Sequence, residues 1–143
     1  MGTKIFINLP TKDLNRTARF YARLGFSFDP QFSDDNGKCM IISDDIFVMF
    51  LSEQFFRSFT RKDIPESAAG AIYSLQKDTR EEVDDFMQKC IAEGATDLTQ
   101  PQTMDFMYTR SFEDPDGHIW EVFYMDLEKF KTQQQTQTVS HDV

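Results

Sequence analysis

The sequence predicts an α+β fold in which two tandem βαβββ units form curved half-sheets around a concave cavity. The same order of predicted elements occurs in both halves of the 143-residue chain. The glycines that end the two main helices, Gly25 and Gly94, lie 69 residues apart, and the last strands of the halves, residues 47–51 and 119–123, correspond at an offset of 72. This agreement in order, glycines and spacing indicates an internal repeat.

The first half begins with a strand over residues 4–9. Ile5, Ile7 and Leu9 lie on one face of this strand, and Phe6 and Asn8 lie on the other. Asp13 is a typical N-cap, and the helix that it opens is expected to end near Leu24, since Gly25 follows. The buried stripe of this helix is expected to consist of Leu14, Ala18 and Tyr21. Further strands are predicted over residues 26–32, 39–42 and 46–51.

The second half repeats this order from a strand over residues 71–76. Thr79 opens a helix with a capping box, in which Glu82 can return a hydrogen bond to the N–H of the cap. The apolar face of this helix follows at helical spacing as Val83, Phe86, Met87, Cys90 and Ile91. Strands are predicted over residues 95–99, 106–112 and 118–125, with a Pro-Asp-Gly turn before the last one.

We expect these elements to form one domain over residues 1–126. It is composed of repeat 1 (4–51), a connecting helix and linker (52–70) and repeat 2 (71–126). Residues 127–143 form a polar tail that we expect to be disordered at its end. The connecting helix carries three aromatic residues in one short segment: Phe55, Phe56 and Phe59.

Composition narrows the possible partners. Twenty-four acidic residues against fifteen basic ones give a net charge of −9, which argues against nucleic-acid binding because that function needs a basic surface. The chain has no apolar run long enough to cross a bilayer, and its first residues enter a strand pattern without a signal peptide. Cys39 and Cys90 are typical of buried, reduced thiols. We therefore expect a cytoplasmic protein with no nucleic-acid or membrane partner.

Two motifs carry a resemblance to a known family. An Asp-Leu-x-x-x-x-x-Phe-Tyr-x-x-Leu-Gly-Phe-like segment spans residues 13–26, and Asp-Pro-Asp-Gly-x-x-x-Glu spans residues 114–121. With the tandem βαβββ pattern, they resemble the vicinal oxygen chelate family, which includes glyoxalases, bleomycin-resistance proteins and extradiol dioxygenases. The resemblance covers about residues 4–126 and points to the glyoxalase-like branch of unsettled activity. It also implies a homodimer, and the fifteen Phe exceed the usual need of a core of this size, so we expect some to line a cavity or a subunit interface.

The resemblance implies a divalent metal bound near the ends of the half-sheets. The four positions that match the ligands of this family are Phe6, Met49, Ile72 and Glu121, and only the last suits such a metal. The two histidines offer no replacement: His118 lies three residues from Glu121 and so points to the other sheet face, and His141 lies in the tail. We expect no metal and no other cofactor, unless the tail or a partner chain supplies ligands.

Strand alternation gives the candidate site on the face away from the helices. We take Glu121 as the candidate catalytic residue, with Arg110 on the preceding strand as a possible ion-pair partner for it. The candidate ligand-binding residues are Phe6, Asn8, Phe47, Met49, Ile72, Ser74, Arg110, Ile119 and Phe123. Apolar side chains with a few polar groups are typical of a small-molecule site.

Three functions remain open from the sequence. The first is metal-free binding of a small, largely apolar organic molecule in the concave cavity. The second is a metal-dependent lyase, isomerase or extradiol dioxygenase, which a one-residue error in strand register would have concealed. The third is a protein-interaction module that uses the patch of Phe55, Phe56 and Phe59.

Overall fold

The computed structural model describes residues 2–66 and 70–133, which fold as two units of the same design. The described residues of unit 1 are 2–66 and 115–117, and those of unit 2 are 70–114 and 118–133. This order of elements confirms the predicted α+β fold with two βαβββ units. Whether the units act as the one predicted domain stays a prediction.

Unit 1 contains a four-stranded sheet in the order β1-β4-β3-β2. The edge strand β1 pairs in parallel with β4, and the other pairings are antiparallel. Its elements are β1 (Ile5–Thr11), α1 (Leu14–Arg23), β2 (Ser27–Asp29), a 3₁₀ turn (Pro30–Phe32), β3 (Gly37–Ile41), β4 (Ile46–Ser52) and α2 (Glu53–Arg57).

Unit 2 repeats this arrangement with the strand order β5-β8-β7-β6. Again the edge strand β5 pairs in parallel with its neighbour β8, and the other pairings are antiparallel. Its elements are β5 (Ile72–Lys77), α3 (Arg80–Ala92), β6 (Thr96–Asp97), β7 (Met107–Glu113), β8 (Ile119–Met125) and α4 (127–133).

The helix ends follow the predicted signals. The Asp13 carboxylate accepts a hydrogen bond from the Arg16 N–H at 3.0 Å, and the Thr79 hydroxyl accepts one from the Glu82 N–H at 3.1 Å. The capping box differs from the predicted one by one residue. The Glu82 carboxylate accepts a hydrogen bond from the N–H of Asp78, the residue before the cap Thr79.

Gly25 and Gly94 follow the two main helices with φ angles of 105° and 103°. These angles lie in the left-handed region, where a side chain would be strained. Glycine at both positions therefore ends each helix in the way the repeat predicted.

The core of unit 1 packs α1 against the sheet, with a stripe that differs from the predicted one. Leu14 and Ala18 are only half-buried. The buried residues are Thr17, Phe20, Tyr21 and Leu24, with Met40, Val48 and Phe50 from the sheet. Thr17 gives no apolar signal in the sequence, and it is buried because its hydroxyl has polar partners in the Asp116 carboxylate and the Thr11 hydroxyl.

The core of unit 2 packs α3 against β7 and β8. The predicted stripe is confirmed at four positions, whereas Ile91 is exposed. The buried side chains are Val83, Phe86, Met87 and Cys90 from the helix and Phe112, Trp120 and Val122 from the sheet.

Cys39 and Cys90 are buried and not disulfide-bonded, as predicted. Burial raises the pKa of the Cys90 thiol to about 12. A thiol that stays protonated is a poor nucleophile, so Cys90 acts as a small core residue.

Strands β2 and β6 and the C-terminal tail differ most from the predicted segments. Strand β2 stops at Asp29, whose carboxylate accepts a hydrogen bond from the Gln31 N–H and opens the 3₁₀ turn at Pro30. Strand β6 has only two residues. The tail that was predicted to begin at residue 127 is helical over 127–133.

The remainder of that tail, residues 134–143, and linker residues 67–69 lie outside the described residues. In the part of the chain that is described, no helix has the length and apolar character needed to cross a membrane.

Candidate functional site

Each sheet has a face that packs against α1 or α3 and an opposite face, called here the open face. Val48 and Phe50 in unit 1 and Trp120 and Val122 in unit 2 are buried on the helix side. Eight of the nine predicted ligand-binding residues, and Glu121, alternate with these and are placed on the open faces. They are Phe6, Asn8, Phe47 and Met49 in unit 1, and Ile72, Ser74, Ile119 and Phe123 in unit 2.

The open face of unit 1 carries an aromatic wall formed by Phe6, Phe32 and Phe47. The rings of Phe6 and Phe47 stack with their centroids 4.7 Å apart and their planes 13° apart, and Phe32 meets Phe6 edge-on at 6.5 Å. Phe6 is 43% exposed and Phe32 is 53% exposed. The wall therefore offers aromatic surface to a ligand.

A pocket of about 380 Å³ lies on the same unit, where α2 follows β4. Asn8 is its one lining residue from the predicted set, and the Phe59 ring, which also packs edge-on against Phe55, forms part of the boundary. The lining consists of Asn8, Leu51, Phe56, Phe59 and Thr60.

Glu121 lies at the centre of the open face of unit 2. Its register partner on β5 is Ser74, whose hydroxyl donates a hydrogen bond to Glu121 Oε2 at 3.0 Å. Its register partner on β7 is Ser111. A pocket of about 320 Å³ lies here, lined by Gln100, Pro101, Gln102, Thr103, Met104, Met107, Thr109, Ser111 and Glu121.

Arg110, which was predicted as a ligand-binding residue and as a possible partner of Glu121, does not lie on the open face. Its register partner is Val122, so it projects to the helix side of the sheet, opposite Glu121. There its guanidinium donates to the carboxylate of Asp84 on α3 at 3.2 Å and to that of Asp97 on β6 at 3.0 Å. Arg110 thus joins a helix and two strands and does not pair with Glu121.

The family assignment follows from sequence comparison. The profile of the Glyoxalase/Bleomycin resistance protein/Dioxygenase superfamily matches residues 5–122. The chain belongs to this superfamily. The match spans both units, in agreement with the two motifs in the sequence.

Solved structures with the superfamily fold are similar over most of the chain. A hypothetical protein from S. aureus is 24% identical, with a TM-score of 0.76, and the match covers 87% of this chain and 94% of that one. A glyoxalase-related enzyme from Fulvimarina pelagi is 21% identical, with a TM-score of 0.74 and coverage of 87% and 88%. The fosfomycin resistance protein FosX from Listeria monocytogenes is 21% identical, with a TM-score of 0.68 and coverage of 93% and 98%. No curated protein matches the chain significantly.

The side chains at the four positions that the sequence predicts to match the metal ligands of this family do not fit a divalent metal. Phe6 and Ile72 have no donor atom, and the Met49 thioether is a soft ligand, which leaves the Glu121 carboxylate alone. Within residues 2–66 and 70–133, no group of three or more His, Cys, Asp or Glu is placed to hold a metal ion. His141, the other histidine considered, lies outside the described residues.

The loop that lines the Glu121 pocket was not predicted, because residues 98–106 have no periodic pattern. The strand β7 was predicted, and the place of its Ser111 beside Glu121 could have been predicted from the turn at residues 114–117. Antiparallel pairing across that turn sets Ser111 opposite Glu121 and Arg110 opposite Val122. The same count would have excluded Arg110 from the open face.

Proposed function

We propose that the protein binds a small, largely apolar organic molecule on the open faces of its sheets, without metal. The observation that carries this proposal is the aromatic wall of Phe6, Phe32 and Phe47. Aromatic pairs in offset or edge-to-face contact contribute about 0.5–1.5 kcal/mol beyond area burial. Two of these rings are partly exposed and are free to gain such contacts with a planar ligand.

Two pockets add support to the proposal. Their volumes of about 380 and 320 Å³ fall at the lower end of the range of about 300–1,000 Å³ for small-molecule sites. Their linings combine apolar carbon with a few polar groups, Asn8 and Thr60 in one and Glu121 with hydroxyl side chains in the other. This composition is typical of sites that hold an apolar body and orient it by one polar end.

The donor set favours binding without metal over a metal-dependent lyase, isomerase or dioxygenase. Such enzymes need several ligands around one cation, and the matching positions hold Phe6, Met49 and Ile72 beside Glu121. The burial of Val48 on the helix side, in phase with the predicted alternation, also favours this proposal over the alternative that rests on a register error.

The proposal is tested with 2-naphthol as a planar, neutral probe, added to protein that has been dialysed against a chelator. Saturable binding is expected, with a Kd between about 1 μM and 1 mM. Phe6→Ser should raise the Kd about three- to tenfold, because it removes one stacked ring from the wall. Ligand fluorescence gives the Kd, and elemental analysis verifies that metal is absent.

Ile91→Ser is the matched control. Ile91 is 43% exposed, as is Phe6, but it lies on α3. Its substitution should leave the Kd unchanged. Absence of saturable binding, equal losses in both variants, or binding that appears only after Zn or Mn is restored would each contradict the proposal.

A further inference from the structure

We propose that the Glu121 pocket of unit 2 binds the protonated amine of an organic cation. This inference names the ligand class of one of the two proposed pockets, and it therefore rests on the proposed function. The physical basis is a carboxylate that lacks a cationic partner, in a pocket whose remaining lining is uncharged.

The lining has a single charged member. Of its nine residues, eight are Gln, Pro, Thr, Met or Ser, and the ninth is Glu121. Among the described residues, no Lys, Arg or His nitrogen forms an ion pair with Glu121, and the basic residue nearest in the sheet, Arg110, is bound to Asp84 and Asp97 on the other face. The negative charge at this point is therefore not balanced by a neighbouring side chain.

The hydrogen bonds of Glu121 leave room for a donor from a ligand. Ser74 donates to Oε2, and no described residue donates to Oε1. A primary ammonium has three N–H donors. One can bind Glu121, and the hydroxyls of Ser111 and Thr109, which line the same pocket on β7, are suitable acceptors for the others.

The remaining lining suits the carbon body of such a ligand. Met104 and Met107 contribute flexible thioether side chains, and Met104 is exposed. Methionine adapts its shape to apolar and aromatic ligands. A ligand carboxylate, in contrast, would meet the charge of Glu121 and would be repelled.

The pocket wall is held in place before any ligand binds. The Gln102 amide donates to the Thr109 carbonyl at 2.7 Å and accepts from the Thr109 N–H at 3.0 Å. Two residues further along the strand, the Ser111 N–H donates to the Thr99 hydroxyl at 3.2 Å, and the Leu98 N–H donates to the Ser111 carbonyl at 2.9 Å. Such preorganisation lowers the ordering cost of binding.

The net charge of the whole chain also favours the binding of a cation. A net charge of −9 attracts cations and repels anions at long range. Salt screens this effect beyond about 8–10 Å, whereas the contact with Glu121 is less affected. Local and long-range contributions can therefore be separated by salt and by matched variants.

The test compares three naphthalene probes of similar shape at about pH 7: 1-naphthylmethylamine, 1-naphthalenemethanol and 1-naphthoate. The amine should bind about tenfold more tightly than the alcohol, which corresponds to about 1.4 kcal/mol, and the naphthoate should bind more weakly than the alcohol. Glu121→Gln keeps the size and one acceptor of the side chain, and it should remove the preference for the amine, so that the ratio of the Kd values of alcohol and amine falls from about ten to about one. The Met104 and Met107 methyl resonances of the wild-type protein should shift on addition of the amine.

Glu81→Gln is the matched control, because it changes the net charge equally but lies exposed on α3, behind the sheet. It should keep the amine preference. Equal binding of amine and alcohol, or equal loss in both variants, would overturn the cation inference and leave the proposed function standing. Failure of all three probes to bind would instead overturn the proposed function. If Glu121→Gln does not fold, the absence of methyl shifts in the wild-type protein would still refute the cation site.

Discussion

The carboxylate of Asp116, which belongs to unit 1, forms hydrogen bonds with the end of β1 and with the first helix of that unit. Its side chain is 4% exposed, and its hydrogen bonds include four from unit 1 at distances of 2.6–3.0 Å. The donors are the hydroxyls of Thr11 and Thr17, the N–H of Lys12 and the guanidinium of Arg16. This arrangement gives a structural reason for the second Asp of the Asp-Pro-Asp-Gly motif.

These contacts determine the ionisation of Asp116. Burial alone would raise the pKa of this carboxyl group, but the hydrogen bonds from Lys12, Thr11 and Thr17 and the charge of Arg16 outweigh burial and lower the pKa. A lowered folded-state pKa contributes stability that is present above the unfolded value of about 4 and is lost as the pH falls towards the folded value.

Asp116→Asn should lower the free energy of unfolding by about 2–3 kcal/mol at neutral pH, because it removes the charge and sets an amide donor against existing donors. Arg16 reaches solvent, which keeps the estimate below that for a fully buried pair. Chemical denaturation between about pH 7 and pH 3 measures it, and the gap to wild type should narrow below about pH 4. Asp35→Asn, in an exposed turn, is the control. A gap that stays constant in acid would show that shape, not charge, is responsible.

At the scale of elements, the loop over residues 98–106 takes the place of a longer β6 along the edge of β7. Strand β6 covers only two residues of β7. Beyond it, Thr99 and the Gln102 side chain bind the outer edge of β7 in the way that a strand would. The loop can therefore form a pocket wall and protect a sheet edge at once.

Gln102→Ala should expose the Thr109 amide to solvent, because the Gln102 side chain is its hydrogen-bond acceptor. Native-state hydrogen exchange of the Thr109 N–H is expected to accelerate at least about tenfold. The Ser111 N–H on the same strand is an internal control, since its acceptor is Thr99. Equal acceleration at both amides would mean that the whole loop detaches, and no change at Thr109 would contradict the assigned contact.

The sequence predicted the helix ends correctly where a residue affects only the backbone close to it. Asp13, Thr79, Gly25 and Gly94 act within one or two turns, and all four mark helix ends in the structure. The short strands β2 and β6 were predicted too long, because the end of an edge strand depends on a distant partner. The position of Arg110 on the helix side of the sheet was not predicted for a related reason, because it is set by pairing across a turn.

At the scale of the whole molecule, the two repeats share the same strand arrangement but carry different side chains at matching positions of the open face. Asn8 opposite Met49 in unit 1 corresponds to Ser74 opposite Glu121 in unit 2. In both pairs, the first residue lies on the edge strand and the second on its parallel neighbour, and both side chains lie on the open face. The spacing of the sequence could predict this frame, whereas the pockets depend on α2 and on the loop before β7, which lie outside the predicted βαβββ pattern.

Several large apolar side chains of unit 1 are exposed, and they favour the predicted homodimer. Ile5 and Ile46 are register partners and are both exposed, and Phe59 is 70% exposed. Large apolar side chains that are exposed on one subunit are commonly covered by a second subunit. Sedimentation velocity at micromolar concentration should therefore give a mass of about twice 16.7 kDa, and a particle of 16.7 kDa would refute the dimer.

Phe59→Ser determines whether the aromatic patch of Phe55, Phe56 and Phe59 serves the interface or the pocket. Phe59 lines the pocket of unit 1 and packs on Phe55, so its loss affects both surfaces. If the patch forms the interface, the variant should sediment as a monomer, because a large exposed ring is lost from each side of a symmetric contact. If the patch covers the pocket alone, the dimer should persist while 2-naphthol binds more weakly. Ile91→Ser, which removes an exposed apolar side chain from α3, should change neither property, and a variant of Phe59 that behaves like this control would exclude both roles.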